Sequence, residues 1–151
     1  MVTNQENIEI LEKIYTRILK ARDAYENASK NVHNKLLTNL FEKATIMHSK
    51  FADELKQEIS SLGRSVKEGG SSTLNADQFW LDFASIIVLR NESAILKNCL
   101  KAEKKAIELY DEALAHDSVT GSLREKLEAQ RKYAANLSVE IADLETKYSS
   151  D

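Results

Sequence analysis

Proline is absent from this chain, and glycine and cysteine are scarce, with four glycines and one cysteine among 151 residues. Since proline and glycine are the residues that most disfavour helix interiors, their scarcity favours long helices. A single cysteine, Cys99, excludes an internal disulfide and a metal cluster built from cysteines. The usual fate of such a cysteine is burial as a small apolar side chain. These absences predict an all-α protein held together by packing.

The chain also has no excess of positive charge. It contains 21 Lys and Arg residues and 24 Asp and Glu residues, which gives a net charge of -3. This balance gives no reason to expect nucleic acid or an anionic membrane as a partner. No stretch approaches the roughly 18 apolar residues of a membrane span, and the N-terminus lacks a secretion signal. We therefore expect a cytoplasmic protein that binds neither nucleic acid nor membrane.

Apolar residues recur at alternating three- and four-residue steps in four segments, which predicts four long helices. The last segment shows the pattern most clearly, with its inner positions at Leu123, Leu127, Gln130, Ala134, Leu137, Ile141, Leu144 and Tyr148. The other long helices are predicted near 3–28, 32–62 and 93–115, and a short helix near 77–90. Thr3 with Glu6 resembles a capping box at the start of the first helix, and Gly63 is a residue at which the second helix would typically end. We expect one domain over 1–151, with a flexible connector at about 64–75.

The lengths of the connections indicate how the helices are arranged. The first two long helices, and the last two, are separated by few residues, so each pair should be antiparallel. A much longer connection, containing the short helix, joins the second long helix to the third. It is long enough to return along the bundle, which predicts a ferritin-like four-helix bundle with a crossover. The alternative is an up-down-up-down bundle whose short helix folds over one end.

Three polar residues on the inner faces, Arg22, Glu103 and Gln130, fall at one depth when the ~1.5 Å rise per residue is counted from the turns. We expect a buried polar cluster in which Arg22 pairs with Glu103 and replaces a metal site. In the alternative, Arg22 reaches solvent and Glu103 borders the core. His48 falls roughly 7 Å further along the bundle, so the count makes it a peripheral member.

Inward carboxylates in such a bundle also suggest a di-iron or di-manganese site, which draws on paired Glu-x-x-His motifs. The sequence contains no Glu-x-x-His motif, and the guanidinium of Arg22 would repel a cation. Glu103 and His48 remain weak candidate metal ligands, with Glu26 and Glu54 as further members of an unusual arrangement. We predict no cofactor and no catalytic residue.

The apolar run 79–89 supports two further interpretations besides covering the core. In the first, part of this run forms a homodimer contact, since its apolar residues fall on several helical faces. In the second, Trp80, Phe83 and Tyr110 line a small-ligand pocket between the short helix and the bundle.

Short pieces in a fixed order carry a resemblance to known proteins. They are LTNLF (37–41), ADEL (52–55), Gly63, Trp80, Ala94-Ile95-Leu96, Cys99, Glu103, Tyr110, EAL (112–114) and Gln130. In this order, the chain resembles bacterial ferritin-like four-helix-bundle proteins of the domain-of-unknown-function 2383 family. The resemblance implies a ferritin-like bundle without an established activity. It also implies an acidic residue at Arg22 and a histidine near Ser138, and this chain has neither.

We therefore predict a non-catalytic ferritin-like bundle with a degenerate metal site, acting as an interaction or stress-associated protein. The stress association is implied by the wider ferritin-like group alone. A di-metal oxidase or iron-handling protein is the main alternative, and a small-ligand-binding bundle is the other. A homodimer or an unidentified protein is the expected partner.

Overall fold

The computed structural model describes residues 4–64 and 78–149. Its helices are α1 (Asn4–Asn31), α2 (Lys35–Ser61), α3 (Gln78–Val88), α4 (Glu92–Leu114) and α5 (Gly121–Ser149). The described residues contain no strand, which confirms the all-α prediction. Thr3 of the expected capping box and nearly all of the expected connector lie outside the described residues. None of the described helices combines the length and apolarity that crossing a membrane requires.

Local chemistry sets the helix ends. The Asn34 side-chain oxygen accepts hydrogen bonds from the backbone N–H groups of Leu36 and Leu37, at 2.8 and 3.3 Å. This cap satisfies amides that have no partner inside the helix, so α2 begins at Lys35 and not at Val32 as the periodicity suggested. Gly63 follows the end of α2 with a φ of +90°, a conformation that glycine adopts without the steric cost of a Cβ.

Buried apolar side chains form two clusters. The first combines the end of α1, the beginnings of α2 and α4, all three buried positions of α3 and the end of α5. The second combines the beginning of α1, the ends of α2 and α4 and the beginning of α5. Along α2 and α4, His48 and Glu103 fall between these clusters, and Gln130 of α5 lies between two members of the second, Leu127 and Ala134.

The short helix α3 packs on α1 and α4. It buries Trp80, Phe83 and Ile87 in the first cluster. The guanidinium carbon of Arg17 in α1 lies 5.1 Å from the ring centroid of Trp80 and 5.8 Å from that of Phe79. Cation–π attraction of this kind adds to the apolar packing of α3 on the bundle.

Candidate functional site

Glu103 in α4 occupies the centre of the polar site and is 2% exposed. The Tyr25 hydroxyl, from α1, donates a hydrogen bond of 2.6 Å to Oε2 of Glu103. Tyr25 is itself only 1% exposed. A bond this short to a carboxylate is among the stronger hydrogen bonds in proteins, since the acceptor can carry a full charge. A phenol, and not the predicted Arg22, therefore donates to this carboxylate.

His48 in α2 is the second member of the site. Its Nδ1 lies 2.7 Å from the carbonyl oxygen of Ala44, and since a carbonyl only accepts, Nδ1 carries the proton of this bond. Its Nε2 faces Glu103 with 4.0 Å to Oε2. Its ring also packs against that of Tyr25, with 5.2 Å between centroids.

His48 is therefore closer to Glu103 than the count along the helices indicated. Helical side chains lean toward their own N-terminus. Because α1 and α2 are antiparallel neighbours, Tyr25 and His48 lean toward each other along the bundle. This lean brings the rings of Tyr25 and His48 into contact beside Glu103.

The predicted pair between Arg22 and Glu103 does not form in the structure. Arg22 donates instead to Oδ1 of Asp23, from Nε at 3.2 Å and Nη2 at 3.1 Å, and its side chain is 36% exposed. Ala21 and Tyr25, four residues apart, occupy the inner face of α1. Arg22 is turned by about 100° from Ala21, since a helix has 3.6 residues per turn, and this turn carries it off the inner face.

Arg17, and not Arg22, brings a positive charge to the polar site around Glu103. It lines the same cavity as Glu103 and His48. The sequence carries a signal for this position, since Arg17 comes three residues after Ile14, which is buried on the inner face of α1. Burial raises the pKa of Glu103 from its ordinary value of 4.5, while His48, the Tyr25 hydrogen bond and Arg17 act in the lowering direction.

Gln130 in α5 is buried at 1% exposure, as its inner position indicated. Its Oε1 accepts a hydrogen bond of 2.9 Å from the Tyr110 hydroxyl, and its Nε2 donates to Oε1 of Glu54 at 3.2 Å. Burial raises the pKa of Tyr110, and the nearby charge of Glu103 raises it further. Gln130 therefore belongs to the polar site through Tyr110 and Glu54.

A narrow cavity connects these groups. Its lining draws on every described helix and includes Arg17, His48, Trp80, Glu103, Tyr110 and Gln130. The volume open to the centre of a water molecule is about 20 Å³, which accommodates about one water. Of the three residues predicted to line a ligand pocket, Trp80 and Tyr110 do so and Phe83 does not. A larger ligand would have to displace side chains.

Of the two further predicted ligands, Glu54 is bonded to Gln130, and Glu26 lies apart from the centre. Glu26 is exposed and pairs with Lys30 at 3.6 Å. Cys99 is buried, and burial raises the pKa of its thiol. Across residues 4–64 and 78–149, no three His, Cys, Asp or Glu side chains gather in a way that could hold a metal ion. The structure brings Glu103 and His48 together without a third ligand of these types.

Comparison with known proteins identifies the family of this chain. No curated protein and no solved structure shows a significant match to the chain. The family described as domain of unknown function DUF2383 matches residues 6–116, a span that contains Tyr25, His48 and Glu103 and covers most of α1 to α4. The chain belongs to the DUF2383 family.

Proposed function

We propose that this protein is a non-catalytic, ferritin-like helical bundle that acts as an interaction protein in the cytoplasm, with a stress-associated role. Its inner polar site stabilises and specifies the fold and performs no reaction. One observation carries this proposal: the buried carboxylate of Glu103 is already engaged by side chains of its own chain. Tyr25 donates to it at 2.6 Å, and His48 faces it at 4.0 Å.

The two core clusters support the ferritin-like arrangement. Apolar residues from the first halves of α2 and α4 share one cluster with the end of α1. Residues from the second halves of α2 and α4 share the other cluster with the beginning of α1. This distribution corresponds to α2 and α4 running in the same direction. A connection that returns along the bundle is then needed, which is the ferritin-like crossover.

The charges around the cavity argue against a cation in it. The guanidinium of Arg17, a group that carries a positive charge in proteins, lines the cavity that Glu103 also lines. A divalent ion there would meet this positive charge and would compete with the Tyr25 hydroxyl for the carboxylate of Glu103. The inner carboxylate is therefore better suited to accept hydrogen bonds than to bind metal.

One feature favours the second candidate, a metal-binding oxidase or iron-handling protein. Nδ1–H of His48 is fixed by the Ala44 carbonyl, so Nε2 is directed at Glu103. Metal-binding histidines are commonly oriented by such a hydrogen bond on the opposite nitrogen. Glu103 and His48 would be the first two ligands of such a site.

Metal analysis separates the two candidates. The protein, purified without an affinity tag, is loaded aerobically with ferrous iron or manganese, desalted and analysed by elemental mass spectrometry. We expect the wild type to retain far less than one metal ion per chain, and Glu103→Gln and His48→Gln to retain the same trace amount.

The matched control is Glu108→Gln, which changes an exposed glutamate of the same helix. Near-stoichiometric metal in the wild type and in this control, lost in both site variants, would overturn the proposal in favour of the metal-binding candidate.

A further inference from the structure

The outer face of α3 is apolar. Six large hydrophobic side chains are strongly exposed among the described residues, and three of them lie on α3 or directly after it: Leu81 at 57%, Val88 at 70% and Leu89 at 76%. The inner face of α3 is already buried on the bundle. A short helix that is apolar on both sides is typical of one that packs on a second surface.

We propose that this face is where two copies of the chain form a symmetric dimer, with the two α3 helices antiparallel across a two-fold axis. The α3 face consists of Leu81, Ala84, Ser85 and Val88, all exposed. The inference rests on the proposed role as an interaction protein and names its partner as a second copy.

The spacing within the α3 face matches itself under a two-fold rotation. An axis between Ala84 and Ser85 places Leu81 of one copy opposite Val88 of the other, and Ala84 opposite Ser85. An isologous interface requires this self-complementarity, because the same patch must serve on both sides. The small residues stand at the crossing point, where two helix backbones approach most closely.

The charged residues on and after α3 agree with this antiparallel pairing. Asp82 is the only charged residue in the sequence of α3, and the exposed Arg90 follows the helix. In the antiparallel pair, Arg90 of each copy lies within about one turn, ~5 Å, of Asp82 of the other. Opposite charges therefore stand at similar levels at both ends of the antiparallel pair, whereas a parallel pair would bring like charges to the same level.

The size of the contact sets the expected affinity. The eleven residues of α3 span only about 16 Å, so the interface falls below the roughly 1,200 Å² typical of stable complexes. We expect a reversible dimer with a dissociation constant in the micromolar range.

Sedimentation velocity of the full chain over a roughly hundredfold concentration range tests the dimer. We expect a monomer–dimer transition in the wild type and a dissociation constant raised about tenfold or more in Val88→Lys. Val139→Lys is the matched control, since Val139 is an exposed valine of α5, at 63% exposure. It should behave as the wild type does.

Disulfide trapping tests the geometry independently of affinity. Ser85→Cys places a thiol beside the two-fold axis, and the native Cys99 is buried. We expect mild oxidation to link Ser85→Cys chains into covalent dimers much faster than Val139→Cys chains. A wild type that stays monomeric throughout, or equal linking rates for the two cysteine variants, would overturn the dimer. Neither result would alter the metal analysis, so failure of the dimer is distinguishable from failure of the proposed function.

Discussion

Replacing Glu103 with alanine is expected to lower the free energy of unfolding by about 3 kcal/mol. The substitution opens a cavity in the core and removes the acceptor of the Tyr25 hydroxyl, which is buried with no solvent to replace it. A buried donor without a partner costs about 1–3 kcal/mol, and the lost packing adds to this. Urea unfolding followed by circular dichroism measures the difference.

Glu103→Gln is the informative comparison, because it keeps the side-chain length and an oxygen that accepts from Tyr25. We expect it to cost less than about 1 kcal/mol, since it also removes a charge that is expensive to bury. Glu108→Ala, at an exposed position of α4, should change the free energy of unfolding by about 0.5 kcal/mol or less. Equal, small effects of alanine at 103 and 108 would show that Glu103 is not a packed core residue.

Phe83→Ala should lower the free energy of unfolding by about 3–4 kcal/mol, the usual cost of truncating a buried phenylalanine. Phe83 is 1% exposed and joins α3 to the first core cluster, so the substitution leaves a cavity between α3 and the bundle. The same urea unfolding experiment gives the value, and its slope reports whether α3 still unfolds with the rest of the chain.

The neighbouring position provides the control for Phe83. Asp82 is exposed, and its side chain accepts a hydrogen bond of 3.0 Å from Gln78 within the same helix. Asp82→Ala should therefore cost about 0.5 kcal/mol or less when measured at a concentration where the protein is monomeric. A cost below about 1 kcal/mol for Phe83→Ala would mean that α3 is not docked on the bundle in solution.

The helices and their buried faces could be predicted from the sequence because both depend on a local repeat. The three- and four-residue steps around Leu127 and Gln130 identify the inner face of α5 without reference to any other helix. The same repeat places Glu103 on the inner face of α4. Helix starts were less accurate, because the cap at Asn34 competes with an apolar pattern that begins earlier.

The membership of the polar site was harder to predict, because it depends on how side chains from different helices meet. Counting residues along the helices places Arg22 at the depth of Glu103, which suggests an ion pair. The count takes no account of the 100° turn per residue that carries Arg22 off the inner face. It also ignored the lean of Tyr25 and His48 toward each other. The periodicity alone marks Tyr25 only as an inner position, whereas its hydroxyl needs a hydrogen-bond partner once the ring is buried.

The pH dependence of stability tests most directly the central claim that Glu103 is a structural carboxylate without a metal. Its folded pKa is raised above 4.5, chiefly by burial. Between the unfolded and folded pKa values, the folded state therefore holds more protons than the unfolded state. The free energy of unfolding must then fall as pH rises through this window. Bound metal would lower the folded pKa and reverse the sign.

The measurement compares the wild type with Glu103→Gln by urea unfolding at a series of pH values from about 4 upward. Arg17, His48 and Tyr25 are present in both proteins, so the difference between the two curves reports the ionisation of Glu103 together with its coupling to His48. Our account predicts that the wild type loses stability relative to Glu103→Gln as pH rises. A wild type that gains stability relative to this variant over the same window would contradict it.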